Sequence, residues 1–491
     1  MASPTRDFAL LYINGQRHEI RGSEAFLMLA DYLRDTRGLT GTKIVCAEGD
    51  CGACTVLRAY PRLRGRMEFE AINSCVITMA QLDGSHLVTV EGLAQEGQLS
   101  PIQEAVVQCH GTQCGYCTPG FAMAMTGLFQ RPRPQLSSQL VKNHLTGNLC
   151  RCTGYSSLID AALSIDSQQV PSLNERYLPK TLVKETQKTL QLPLHIKTAD
   201  RQFMAPVDIK GAVQMRRRFT DARLISAATD VGVQINKGKA APKQWLSLHL
   251  IPELYTISSK QGRVHVGARV SLAALRRYLE KKLPELANFI DIFASPQIKS
   301  VATLIGNIAN ASPIGDTLPF MLVADGLVHV VGGRKPRDIP MSELYTGYRQ
   351  LALKAGEWIS HASFRLPTKA ESLRLYKVSQ RKDLDIATVN CAFLFQLGKK
   401  KGSTEPFVKA ARLAFGGMGP TVLRCEEAEA FLADKSLTDE TMEEALHLMQ
   451  QQLSPLSDLR GSAAYRRVLV ESLFRKYCQE LRQGRQNHAE P

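Results

Sequence analysis

The sequence predicts a multidomain α+β protein, and three observations carry that prediction. Its 491 residues exceed what a single hydrophobic core holds, so roughly three or four domains are expected. Short alternating apolar segments separated by turn signals fill the first hundred residues. From Pro101 the pattern turns helical, and further on strand-like and helix-like stretches alternate again. The composition, 44% hydrophobic and 22% charged, is that of a globular protein. No apolar run approaches the ~18–20 residues of a membrane span.

The start, MASPTRDFALLYINGQ, brings Arg6 and Asp7 early and lacks a secretory pattern, so a cytoplasmic location is expected. Reduced thiols rather than disulfides follow for the twelve cysteines, of which eight fall in two clusters. The net charge of +15 is scattered in short runs such as Arg216–Arg218. No helix-turn-helix, zinc-finger or aromatic-rich signature accompanies it, which excludes nucleic acid as the expected partner; no membrane partner is expected either.

Residues 7–20 read as a hairpin, with Asn14-Gly15 as its turn between alternating apolar residues. SEAFLMLADYLRDTRGL then reads as a helix, with Ser23 as N-cap and Gly38 as its end. Phe26, Leu29, Ala30 and Leu33 share one face. Strands follow at TVLRAY and MEFEAI, and LVTVEGLA at 87–94 reads as the last strand of this domain.

Between them lies a C-x4-C-x2-C-x20-C spacing of Cys46, Cys51, Cys54 and Cys75. Three ligands on one glycine-bearing loop and a distant fourth form the plant-type ferredoxin arrangement for a [2Fe–2S] cluster. Structural zinc is the alternative, but zinc has no need of so tight a loop.

From Pro101, IQEAVVQC, FAMAMTGLFQ and SQLVKNHL read as helices. The loops that join them carry Cys114 and Cys117, then Cys150 and Cys152. C-x2-C answered by C-x-C suits a zinc site poorly, although these residues alone leave zinc open. The segment reads as a four-helix domain with a second two-iron cluster. Cys109 reads as a small buried residue, and His110 as a hydrogen-bonding loop residue.

CAEGDCGACTV, HGTQCGYCTPGF and TGNLCRCTGY together resemble the iron–sulfur region of molybdenum hydroxylases, the family of xanthine dehydrogenases, aldehyde oxidases and carbon monoxide dehydrogenases. The resemblance implies two [2Fe–2S] clusters on these eight cysteines. It also implies that Gln113 and Cys152 lie closest to a molybdopterin, with the Gln113 amide recognising the pterin.

Residues 166–196 are polar and proline-punctuated, and read as a surface linker. ARLISAATDVGVQINKG at 222–238 then reads as a strand running into small residues, where backbone amides could meet a diphosphate; it is no G-x-G-x-x-G fingerprint. SVATLIGNIANASPIGDTLPFMLVADG at 300–326 is so rich in small and polar residues that it reads as a ligand-lining loop.

The two stretches resemble the FAD-binding domain of the same family, of vanillyl-alcohol-oxidase (PCMH) type. By that resemblance FAD contacts fall at Leu224, Ile225, Ser226, Ala227, Ala228, Thr229, Asp230 and Val231. Others fall at Phe293, at Ser312, Pro313, Ile314, Gly315 and Asp316, and at Asp325. Ala227, Ala228 and Ile305 depart from family positions that favour glycine or asparagine.

YKVSQRKDLDIATVNCAFLFQ reads as strand, turn and the beginning of a helix, and AARLAFGG as a strand. Both resemble the family's C-terminal flavoprotein domain, with Arg381, Asp385 and Ile386 in matching positions. Two amphipathic helices close the chain, and Cys391, Cys425 and Cys478 read as structural.

The expected domains are a β-grasp ferredoxin-like domain (1–95), a helical cluster domain (96–165), a linker (166–196), an FAD-binding domain (197–368) and an α+β flavoprotein domain (369–487). The resemblance implies the iron–sulfur and flavin subunit of the xanthine dehydrogenase group. Electrons from purine hydroxylation would run from a partner-held molybdenum cofactor through both clusters to FAD and NAD+. No catalytic residue for the purine is expected on this chain. Since the sequence stops after the flavin region, a separate larger molybdenum subunit in an α2β2 assembly is expected. An aldehyde or other heterocycle hydroxylase is the alternative. A zinc-binding interaction module is the alternative from another class.

Overall fold

Asn14 (φ 49°) and Gly15 (φ 82°) adopt the left-handed conformations that a two-residue hairpin requires. They join β1 (Ala9–Ile13) to β2 (Gln16–Ile20), with Ile13 opposite Gln16. With β3 (Thr55–Ala59), β4 (Phe69–Asn73) and β5 (His86–Val88) these strands form one sheet in the order β2-β1-β5-β3-β4. Only β1 and β5 run parallel, which is the β-grasp arrangement. Leu11, Val56, Ile72 and Leu87 bury one face of it.

The computed structural model describes residues 4–60, 67–130, 136–399 and 405–484; residues 485–487 of the expected last domain lie outside these. The chain divides into two units. One comprises residues up to 255 together with 294–302, the other 256–293 together with the residues from 303 onward.

Three expectations in the first unit are corrected. The helix expected from Ser23 to Gly38 is broken: a 3-10 turn at Gly22–Phe26 gives way to extended Leu27 and Met28 before helical turns resume at Leu29. The cause is tertiary, because Leu29 N–H donates to Ile77 O at 2.9 Å and Met79 N–H to Leu27 O at 3.0 Å. The strand expected at 87–94 ends at Val88 and becomes a 3-10 turn over Val90–Leu93. Cys109 is only half-buried, beside Ser164.

The helical region holds α1 (Pro101–Gln108), α2 (Thr118–Phe129), α3 (Ser138–Leu145) and α4 (Ser156–Ser164). Ser100 and Gln103 form a reciprocal capping box at the start of α1. Ile102, Val106, Phe121, Met125, Val141 and Leu158 fill the space between the helices.

The expected linker is structured. It contains a helical turn at Leu173–Tyr177 and α5 (Lys180–Thr189). Tyr177 is buried and donates to Gly92 O at 2.6 Å. Thr186, also buried, meets His86 Nε2 at 3.1 Å. Contacts scattered along the segment anchor it, Arg176 to Ala94 O at 2.8 Å and Tyr12 to Glu185 at 2.7 Å among them, so no apolar period betrays it.

A second sheet in this unit is made of β6 (Leu194–Lys197), β7 (Gln202–Ala205), β8 (Arg223–Ile225) and β9 (Gln244–Ser247), in the order β6-β7-β9-β8. The helices α6 (Ile209–Arg218) and α7 (Thr229–Asn236) make its crossovers. Arg6 joins the chain's first residues to this sheet: its N–H donates to Pro193 O at 2.9 Å and its carbonyl accepts from His195 N–H at 2.8 Å, while its guanidinium donates twice to buried Asp83, at 3.0 and 2.7 Å.

The second unit begins with β10 (Ile257–Lys260) and β11 (Arg263–Gly267), then α8 (Leu272–Leu279) and α9 (Pro284–Asp291). The stretch at 300–326 is not one loop, as expected, but two helices, α10 (Leu304–Asn310) and α11 (Leu318–Val323), with a turn between them. Thr303 caps α10, and the buried Leu304, Ile305 and Ile308 give that helix an apolar face despite its small neighbours. Next come β12 (Leu327–Val331), β13 (Arg337–Pro340) and β14 (Trp358–Arg365), in a sheet of order β10-β11-β14-β12-β13.

The last sheet pairs β15 (Glu371–Val378), β16 (Val389–Gly398) and β17 (Phe407–Gly416) antiparallel. The helix expected within 371–398 is therefore the strand β16, whose seven consecutive buried residues hide strand alternation. The helices α12 (Glu426–Leu432), α13 (Asp439–Gln452) and α14 (Ala463–Arg482) complete this unit. Phe393 touches the rings of Phe415, Phe474 and Tyr477 in its core. Cys391, Cys425 and Cys478 are buried. No helix of the described residues is long and apolar enough to cross a membrane.

Candidate iron–sulfur and flavin sites

The loop Cys46–Cys54 crosses from the broken helix to β3 and brings three sulfurs toward Cys75, on the turn after β4. Cys46 contacts the side chains of Cys51 and Cys75, and Cys54 contacts Cys75. Backbone N–H groups of Glu48 and Cys51 donate to Cys46 Sγ, each at 3.4 Å. Hydrogen bonds from Cys51 and Cys75, with these amides, hold the Cys46 thiol far below its ordinary range. Such donors suit sulfur that carries negative charge.

In the helical region Cys114 and Cys152 lie 3.6 Å apart through their sulfurs, and Cys117 contacts Cys150. Burial, with Cys150 beside it, pushes the Cys117 thiol up to about 12. Cys150 goes the other way: burial opposes its ionisation, yet the Thr153 hydroxyl and N–H hold its thiol low. The N-termini of α2 and α4 carry no side-chain cap beside Cys117 and Tyr155. Their amides and dipoles favour negative charge at that place.

Among the described residues, no three His, Cys, Asp or Glu side chains gather on one metal ion. At the second site the sulfurs meet in two pairs, Cys114 with Cys152 and Cys117 with Cys150, while at the first Cys51, Cys46, Cys75 and Cys54 form one chain of contacts. Each site thus offers four cysteines, the number that a [2Fe–2S] cluster takes.

The two sites differ in exposure. Cys54 and Cys75 are buried, while Cys114 and Cys152 are exposed. Gln113 is exposed beside them, as is His110, and Tyr116 (48%) is an exposed apolar residue nearby in the sequence; Val45 (59%), next to Cys46, is another exposed apolar residue.

The first flavin stretch lies in the first unit. Leu224 and Ile225 end β8; Ser226, Ala227 and Ala228 form the turn; and Thr229, Asp230 and Val231 open α7. Ala228 takes φ 57°, a left-handed conformation that costs a non-glycine residue about 1–2 kcal/mol. No side chain caps α7 there, so its first amides stay open to a phosphate. Gln81 Nε2 donates to Ala227 O at 3.0 Å and fixes the turn.

At its other end α7 rests on the first cysteine loop. Asn236 Nδ2 donates to Ala47 O at 2.8 Å and to Cys75 O at 2.7 Å, and Lys237 pairs with Glu48 at 2.8 Å. Gly232 lies so close that a Cβ there would sit 2.1 Å from Val76 O. One helix thus spans from the small-residue turn to the first cysteine site.

The second stretch lies in the second unit. Ser312, Pro313, Ile314 and Gly315 form the turn between α10 and α11 and are half-buried except for buried Gly315. Asp316 is buried, paired with Lys377 Nζ at 2.7 Å and with Asn390 Nδ2 at 3.0 Å. Both of its oxygens are thus occupied by protein donors, which makes it an anchor of the turn. Asp325 pairs with Arg365 and Arg412. Phe293 is half-buried after α9. Arg381 and Asp385 pair with each other, and Ile386 is exposed. The sequence reading missed the amides that tie the loops together, Asn73, Asn148, Asn236 and Gln297. Asn and Gln carry no spacing signal, so the sequence offered none.

Three families match. Residues 89–163 match the [2Fe-2S] binding domain, 198–369 the FAD binding domain in molybdopterin dehydrogenase, and 374–481 the CO dehydrogenase flavoprotein C-terminal domain. A xanthine dehydrogenase of Emericella nidulans is 30% identical, over 97% of this chain and 39% of that protein. Nicotinate hydroxylase hnxS of the same organism is 28% identical, over 96% and 40%. The chain thus spans about two fifths of the length of these relatives. In fold it is similar to a carbon monoxide dehydrogenase chain of Hydrogenophaga pseudoflava, with a TM-score of 0.52 and 24% identity over 57% of this chain and 96% of that one.

Proposed function

Since the chain belongs to the molybdenum hydroxylase family, as its iron–sulfur and flavin part with [2Fe–2S] and FAD as cofactors, we propose that it carries electrons from xanthine or hypoxanthine oxidation to NAD+. When bound, the clusters carry electrons singly and the flavin collects a pair for hydride delivery.

We assign Cys46, Cys51, Cys54 and Cys75 to one cluster, and Cys114, Cys117, Cys150 and Cys152 to the other. The observation that carries the relay is the order of contacts in the first unit. Leu149 N–H donates to Cys51 O at 2.9 Å, joining the exposed cysteine site to the enclosed one. Asn236 then joins the enclosed site to the helix that opens at the first flavin stretch. The turn at Ser226–Ala228 and the open amides of α7 would hold phosphate; within the second unit, the turn at Ser312–Gly315 is the segment expected for flavin binding. The exposed site, with Gln113, Cys114 and Cys152, faces a larger molybdopterin-bearing partner in this reading, and an α2β2 assembly is its expected form.

The nicotinate hydroxylase relative favours a second reading, the same relay serving another nitrogen heterocycle. The test is purified full chain given NADH and an artificial acceptor, then xanthine. NADH oxidation without xanthine turnover is expected. Xanthine turnover by the chain alone, or no NADH oxidation by flavin-loaded chain, overturns the proposal.

A further inference from the structure

Gln297 is fully buried, and its side chain meets both cysteine loops. It lies on the helical turn Pro296–Lys299, far in sequence from either loop yet part of the first unit. Its Nε2 spends both protons, one on Thr55 Oγ1 at 3.1 Å and one on Asn148 Oδ1 at 2.8 Å. The orientation is not free. Thr55 gives its own hydroxyl proton to Gly52 O at 2.6 Å, and Asn148 Nδ2 donates to the same oxygen at 3.0 Å. Each acceptor therefore offers Gln297 only a lone pair, and an amide flip would place oxygen against oxygen.

The packing around this network is as tight as its bonding. A Cβ on Gly147 would lie 1.9 Å from Gln297 Oε1, and one on Gly52 would lie 2.1 Å from Gly147 O. Gly52 follows Cys51 directly, and Asn148 is two residues before Cys150. Between them runs the shortest link of the two loops, Leu149 N–H to Cys51 O at 2.9 Å. From Cys51 to Cys150 the path is covalent apart from that single hydrogen bond. Rotating either turn would lengthen it, and the Gln297 amide opposes both rotations at once.

We propose that Gln297 is a positioning residue that holds the two cluster-bearing loops in register for electron transfer between them. It touches neither cluster and acts through Gly52 and Asn148. The inference rests on the two-cluster reading of the preceding section.

The test is the full chain, loaded with iron and sulfide and reduced with dithionite, read by electron spin resonance as wild type, Gln297→Met and Tyr155→Phe. The Tyr155 hydroxyl accepts from Cys150 N–H, at 3.0 Å, and so its loss serves as a variant confined to one loop. Gln297→Met is expected to keep its iron, to shift the resonances of both clusters and to lose the magnetic splitting between them. Tyr155→Phe is expected to shift one resonance and keep the splitting. Unchanged resonances and splitting in Gln297→Met overturn the proposal, as does a shift in one cluster alone. If Gln297→Met does not assemble, Asn148→Ser is read by the same criteria. A wild-type chain without two signals would sink the two-cluster reading itself, a result distinct from an indifferent variant.

Discussion

Lys377 Nζ lies 2.7 Å from Asp316 Oδ2, and the two side chains keep only 2% and 9% of their exposure. The ammonium also reaches Ile292 O at 3.3 Å, next to Phe293. One buried cation therefore anchors two parts of the second unit that the sequence assigned to flavin binding. Its own strand, β15, gave no sign of that role.

Removing one partner of a buried pair strands the other charge, at a cost of about 3–5 kcal/mol. Asp316→Ala is expected to lower the unfolding free energy of the second unit by that order. It should also reduce FAD per chain while iron stays constant. Flavin released by acid and iron measured colorimetrically check this together. Undiminished flavin would separate the 312–316 turn from the cofactor.

Gly232→Ala forces a methyl group toward Val76 O, at 2.1 Å if nothing moves. Overpacking of this kind costs about 1–3 kcal/mol. A lower melting temperature is expected, with weaker flavin retention because α7 carries the first flavin stretch. A variant as stable as the wild type would mean that α7 is not seated on the first cysteine loop.

His86 is buried, stacked on Tyr12 at 4.4 Å between ring centroids, and burial lowers its pKa from 6.5 to about 4. A depressed histidine pKa favours the neutral ring in the folded state. Its contribution is complete above pH 6.5 and is lost as the pH falls toward 4. The full effect is about 3 kcal/mol. Urea midpoints at pH 7 and pH 4.5 should differ by less in His86→Phe than in the wild type. Equal pH dependence in the two would remove His86 as the cause.

Cys150→Ser should abolish one of the two resonance signals of the reduced chain and spare the other, since Cys150 pairs with Cys117 and not with the Cys46 loop. Survival of both signals would mean that Cys150 is not a ligand.

Local signals survived into the structure where the chain decides its own geometry. Asn14-Gly15 makes its hairpin. The Ser23–Gly38 helix failed because Leu27 O and Leu29 N–H bond to Met79 N–H and Ile77 O, which no local propensity can foresee. Residues 166–196 showed no period because scattered contacts hold the segment, among them Tyr177 with Gly92, Thr186 with His86 and Arg176 with Ala94. Gln297 was invisible for a similar reason. A lone amide has meaning only once Gly52 and Asn148 stand beside it.

The most direct test is the metal and flavin content of the purified full chain, read with its visible spectrum. The expected result is a brown protein with iron and acid-labile sulfide in equal amounts, enough for two [2Fe–2S] clusters, together with FAD. A folded, colourless chain that holds zinc and neither iron nor flavin would contradict it.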